Sequence, residues 1–239
     1  MKSLLTTVAL LVALVATAQT KTYTDANAKT RTLSGSFSKV SVASGVELYL
    51  TQGNEEALAV SVSDSKYEER FKTEIENGTL KIWYDNKNWS NSDKNRKLKA
   101  YVSYKTLEAL TCSSGSNTKL TNTLNTGTLA LNFSSGCVFD GAINATNVTT
   151  NANSGAMVKI SGKAEKLKIE VSSGANFKGD NLATSYCTAS ANSGGSIGIE
   201  VQKELNASAN SGGDIRYTGA AVLNKGSINS GGSVKQRSK

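Results

Sequence analysis

Apolar and polar positions alternate with period 2 through the second half of the chain, as in Val158 and Ile160, then Leu167, Ile169 and Val171. That is the strand period, not the helical one. The alternating runs are punctuated by one recurring turn: Ser113-Ser114-Gly115, Ser134-Ser135-Gly136, Asn153-Ser154-Gly155, Ser172-Ser173-Gly174, Asn192-Ser193-Gly194, Asn210-Ser211-Gly212 and Asn229-Ser230-Gly231. The glycines are 21, 19, 19, 20, 18 and 19 residues apart. Aligning the units on their glycine gives columns. Three positions after it stand Thr118, Phe139, Val158, Phe177, Ile197, Ile215 and Val234, all but the first large and apolar. Three before it stand Cys112, Phe133, Ala152, Val171, Ala191, Ala209 and Ile228. Seven before it stand Leu129, Val148, Leu167, Cys187 and Leu205, with Asn224 breaking the column. Four after it stand Lys119, Asp140, Lys159, Lys178, Gly198, Arg216 and Lys235, mostly charged.

Repeats of this length predict coils of two or three short strands. A single coil cannot bury its apolar side, so coils must stack, about 4.8 Å apart, with like columns on like columns. Seven rungs would make a rod about 30 Å long. Glycine supplies the positive φ of the turn without a Cβ cost, and the Ser or Asn before it can hydrogen-bond to turn backbone. Parallel coils are expected to cross over with a right hand.

Residues 33–50 echo the same register, with Val40, Val42, Gly45, Leu48 and Leu50 at −5, −3, 0, +3 and +5, but the next match lies 70 residues on. The intervening segment predicts antiparallel strands. Residues 58–62 and 98–104 alternate, and Asn77-Gly78 is a two-residue hairpin turn between 72–76 and 79–84. Residues 85–97 form a polar loop with one aromatic, Trp89. Such a segment could cap the open end of a solenoid. The expected architecture is therefore all-β: a right-handed single-stranded β-helix (β-solenoid) with an N-terminal antiparallel β subdomain. Its parts are a signal peptide at 1–18, a lead segment at 19–32, the N-terminal β subdomain with the first rung echo at 33–109, and the solenoid at 110–239. The signal peptide rests on Lys2, the short apolar run 4–15 and the small-x-small triplet Ala16-Thr17-Ala18. No Cys follows that site, so a lipoprotein anchor is not expected, nor is a membrane span.

Charge and composition narrow the chemistry. The 239-residue chain carries 27 basic and 19 acidic residues, a net charge of +8, and loss of residues 1–18 removes only Lys2, leaving +7. A moderately basic exported protein can be steered towards acidic surfaces. Arginines are few and do not interleave with aromatics, so nucleic acid is not an expected partner. With no His, His-based triads and the usual zinc sites are excluded. Acidic residues are scattered in phase along the rungs and do not pair as a polysaccharide-cleaving site requires. No catalytic, cofactor or metal residues are assigned, and no cofactor is expected. Cys112 and Cys187 occupy apolar columns and Cys137 follows a turn glycine, so the three read as core residues without a predicted disulfide. The candidate ligand-facing residues are Trp89 in the polar loop and Lys119, Lys159, Lys178 and Arg216 in the +4 column.

The entry segment SFSKVSVASGVELYLTQG, then NGTLKIWY, then YVSYKTLEALTCSSGS, followed by the SG-punctuated rungs, resembles the putative auto-transporter adhesin family with the head GIN domain, over roughly residues 33–234. The resemblance implies a β-helical protein exported by Bacteroidetes-type bacteria, to the periplasm, the outer-membrane surface or the medium. It implies no catalytic residues. The expected function is non-catalytic binding or adhesion, with a glycan or cell-envelope component as partner. A structural envelope scaffold is the alternative, and a carbohydrate-active enzyme the least favoured one.

Overall fold

The computed structural model describes residues 25–87 and 96–238. The expected signal peptide at 1–18 and the candidate residue Trp89 lie outside them. Seventeen strands of the described residues hydrogen-bond into one sheet. The first seven are β1 (Lys29–Arg31), β2 (Lys39–Val42), β3 (Glu47–Gln52), β4 (Ala57–Val62), β5 (Phe71–Glu76), β6 (Thr79–Tyr84) and β7 (Leu98–Tyr104). Next come β8 (Ala109–Cys112), β9 (Asn117–Leu120), β10 (Leu124–Phe133), β11 (Val138–Ala152), β12 (Met157–Val171) and β13 (Asn176–Ala191). The last are β14 (Ser196–Asn210), β15 (Asp214–Thr218), β16 (Val222–Asn229) and β17 (Ser233–Gln236).

The rungs stack in parallel on three faces. One face runs β6, β2, β8, β10, β11, β12, β13, β14 and β16, with Val42 on Cys112, Cys112 on Phe133 and Phe133 on Ala152. The second runs β7, β3, β9, β11, β12, β13, β14, β15 and β17, with Leu48 on Thr118, Thr118 on Phe139 and Phe139 on Val158. The third joins the middles of β10 to β14, as in Leu124 on Ile143. The β-solenoid is thus as expected, except that each middle coil is one bent strand of 15 or 16 residues rather than two or three short ones. The +3 column faces inward: Thr118, Phe139, Val158, Phe177, Ile197 and Ile215 are all buried. Burying a side chain of this size contributes roughly 1.5–3 kcal/mol, which makes these columns the main source of stability. Cys112 and Cys187 are core residues, and Cys137 is buried with them.

At the Ser-Gly corner of each rung both turn residues have positive φ, Ser at +47° to +64° and Gly at +70° to +78°. The N–H of the residue after the glycine donates to the carbonyl three back, as Cys137 does to Ser134 (3.2 Å). The glycine N–H donates to the next rung's Ser carbonyl, from Gly45 to Ser114 down to Gly212 to Ser230. Holding Ser in the left-handed region costs roughly 1–2 kcal/mol, and the two bonds return about 1 kcal/mol each. The turn is near neutral, and its value is to fix register. A Cβ on Gly136 or Gly155 would touch nothing, so φ alone requires glycine there. Gly213 has the opposite reason: its φ is ordinary, but a Cβ would lie 2.0 Å from the Ala191 carbonyl oxygen.

Two details differ from the sequence reading. The Gly45 rung is not separated from the rest: β2 and β3 stack directly on β8 and β9. Residues 53–105 fold back over the opposite side of that rung. There β6 and β7 add a further parallel layer, Val40 on Leu80 and Leu48 on Ala100. Only the outermost pairings, β5 with β6, β4 with β7 and β1 with β4, are antiparallel. The second detail is the broken column in the last rung. Leu223, not Asn224, stacks on Leu205, because β16 slips register between the partners of Ala207 and Ala209. A wide stretch at Gly226-Ser227 absorbs the extra residue.

Candidate functional site

Period 2 turns the +4 side chains outward on the second face, and parallel in-register stacking brings them into one line. The backbone register runs Tyr101, Tyr49, Lys119, Asp140, Lys159, Lys178, Gly198, Arg216 and Lys235. The four sequence-predicted basic residues, Lys119, Lys159, Lys178 and Arg216, all fall in it and all are exposed. Neighbours are one rung, about 4.8 Å, apart. Lys159 approaches Asp140 at 3.7 Å and Arg216 pairs with Asp214 at 2.9 Å. Lys119, Lys178 and Lys235 form no ion pair among the described residues.

The column begins with two tyrosines that the sequence reading missed. Tyr49 and Tyr101 stack with ring centres 5.2 Å apart and planes 11° from parallel. The Tyr101 hydroxyl donates to Asp25 at 2.8 Å, while Tyr49 donates to Glu47. Burial, and then the Asp25 bond, push the Tyr101 hydroxyl above its usual range, so it stays a donor. The echo at Gly45 was the signal that could have placed Tyr49. Tyr101 lies in the fold-back segment, where no repeat marks phase.

Asn side chains line the first face and ladder from rung to rung, Asn132 with Asn151 at 3.2 Å and Asn206 with Asn224 at 3.2 Å. A concavity of about 590 Å³ runs along the corner between the first and third faces. Asn144, Thr146, Lys163, Glu165 and Gln202 line it, a polar set with one charge of each sign.

Among the described residues no group of three or more Cys, Asp and Glu could hold a metal ion. The thiols are buried, and burial pushes Cys187 up to about 12, far from a thiolate at neutral pH. Cys112 is also pushed up, first by its bond to the Cys137 thiol and then by burial. Among the described residues no helix is long and apolar enough to cross a membrane.

Known proteins share this architecture. A putative adhesin from Bacteroides fragilis has the same fold (TM-score 0.76, 17% identity, covering 88% of this chain and 96% of that one). So does a putative adhesin from Parabacteroides distasonis (0.69, 16%, 88% and 96%). A putative lipid binding protein from the same species is also similar (0.64, 17%, 90% and 98%). No curated protein matches the chain in sequence. The family described as putative auto-transporter adhesin, head GIN domain, matches residues 36–221. That span takes in β2 to β15, most of the chain, and the chain belongs to this adhesin family.

Proposed function

We propose that the protein is an exported, non-catalytic adhesion-type binding protein that engages an anionic glycan, or another polyanionic component of a cell envelope, along the +4 column. The supporting observation is the line Lys119, Lys159, Lys178, Arg216 and Lys235, interrupted by a single acid, Asp140. Adjacent rungs are closer than the Debye length of about 8 Å, so the cations act together on a linear polyanion. The rung spacing is close to the length of one pyranose unit, so a polysaccharide lying along the axis meets a cation at most steps. The stacked Tyr49 and Tyr101 continue the same line and offer aromatic edge to a sugar ring. Trp89 remains a candidate contact outside the described residues.

Surface plasmon resonance with immobilised polygalacturonate tests the reading. Binding should weaken as salt rises, and neutral dextran should not be retained. Exposed charges contribute roughly 0.2–1 kcal/mol each, so the variant K119A/K159A/K178A/R216A should bind about tenfold more weakly or worse. Equal binding by that variant would overturn the proposal. A lipid is a poorer fit, since the rung interior is filled by side chains and the corner concavity is lined by polar and charged residues. A scaffold role is favoured by one observation, that no described strand pairs with the outer edges of β16 and β17, and would require concentration-dependent association in light scattering.

A further inference from the structure

The cation column is broken at Gly198, and the break is built rather than empty. Gly198 sits between Lys178 and Arg216 in register. Its missing side chain leaves a dent of about 150 Å³ lined by Lys178, Asp180, Arg216 and Arg237. Asp180 reaches the dent because β13 carries an extra residue. Lys159 faces Lys178 and Ser161 faces Asn181, so Gly179 and Asp180 together oppose Ile160 alone. Bulges of this kind re-aim a side chain. The Asp180 carboxylate oxygens lie 2.8 and 3.0 Å from where a Gly198 Cβ would be. Arg237 donates to that carboxylate from the last rung. One carboxylate therefore occupies the gap in the column, with three cations around it.

We propose that this dent is a subsite for a carboxylate of the bound polymer, and that Asp180 is its built-in occupant. The proposal rests on the polyanion reading above and deepens it by naming the group recognised. An arginine fork and a lysine flanking one gap suit a carboxylate through charge-assisted hydrogen bonds. The Asp180–Arg237 pair is about half exposed on both sides, so water screens it and it is weakly held. A carboxylate delivered by a polymer already held along the column arrives at high effective concentration and can displace it. Neutralising the occupant should then tighten binding, and filling the dent should abolish that gain.

The experiment compares oligogalacturonate binding by calorimetry for the wild-type chain, Asp180→Asn, Asp140→Asn and Asp180→Asn/Gly198→Val, with circular dichroism to check folding. Asp140→Asn controls for loss of an acid on the same face. Asp180→Asn should bind about two- to fivefold more tightly than wild type. Asp140→Asn should gain less, and the double variant should lose the gain. Methyl-esterified oligogalacturonate should show no gain in any variant. A gain in Asp180→Asn no larger than in Asp140→Asn, or one that survives Gly198→Val, overturns the subsite. In that case retained wild-type binding that is lost in K119A/K159A/K178A/R216A leaves the polyanion reading standing. Absence of any oligogalacturonate or polygalacturonate binding overturns both.

Discussion

The two ends of the solenoid are finished in different ways. At the N-terminal end, β6 and β7 cover the first rung, β5 and β4 cover them in turn, and β1 lies outermost. Phe71, Tyr67 and Tyr84 plug the cross-section, with Tyr67 and Tyr84 edge to face at 6.2 Å. From β1, Arg31 reaches across to donate to the Phe71 carbonyl (2.7 Å) and lies over its ring. Lys29 pairs with Glu68 beside it at 2.7 Å. At the other end no described strand covers β16 and β17. Leu223, Ile228 and Val234 are only partly buried, and Val222 is 67% exposed, whereas Leu205, Ala209 and Ile215 one rung earlier are fully buried. The same columns are worth different amounts depending on whether a next rung exists. The open end is defended by charge instead: Lys225, Lys235 and Arg237 stand on or beside its edges with no acid on either strand, which discourages pairing with a second copy.

The largest effect should come from unplugging the capped end. Phe71→Ala removes a fully buried ring and the surface on which Arg31 lies. A loss of about 3–5 kcal/mol in chemical denaturation is expected. Amide exchange should accelerate first in β5, β6 and β2. A loss below about 1 kcal/mol would mean that the cap does not hold the first rung and that the two ends are alike.

The second test reads the difference within one column. Leu205→Ala should cost about 2–5 kcal/mol, the ordinary range for a buried leucine. Leu223→Ala, stacked directly beneath it, should cost about 1 kcal/mol or less, because much of that side chain already meets water. Equal losses would show that the last rung is covered in solution, and light scattering on the same samples would reveal whether a second copy covers it.

Much of this was legible in the glycine register and some was not, for identifiable reasons. Phe139, Val158 and Phe177 could be placed inside and Lys119, Lys159 and Lys178 outside because each coil repeats the solution of the one before. The fold-back of residues 53–105 was hidden, since β6 and β7 find β2 and β3 through tertiary register that no local spacing encodes. The Gly198 gap was visible as a break in the Lys column. Its occupant was not, because Asp180 comes from a bulge that alignment on glycines spreads over a whole 20-residue rung. The slip that puts Leu223 in place of Asn224 was hidden for a related reason. The extra residue at Gly226-Ser227 lies between Leu223 and Gly231, so counting seven back from that glycine stops one residue short of the leucine.

The smallest effect concerns what fastens β1 over the cap. Asp25 accepts from the Tyr101 hydroxyl at 2.8 Å and from the Asn27 N–H at 3.0 Å. These bonds, Tyr101 first, hold its carboxyl below the usual range. A group with a depressed folded pKa contributes stability that is full above its unfolded value and lost as pH falls through the folded one. The fastening should therefore be intact at neutral pH and weaken below about pH 4. Amide exchange in Lys29–Arg31, corrected for its intrinsic pH dependence, should rise over that window. In Tyr101→Phe the carboxyl should titrate closer to its ordinary value by NMR, and the rise should begin at higher pH. An unchanged Asp25 titration in that variant would mean that the hydroxyl does not hold the segment. The end would then be closed by Arg31, Phe71 and the Lys29–Glu68 pair, without help from Asp25.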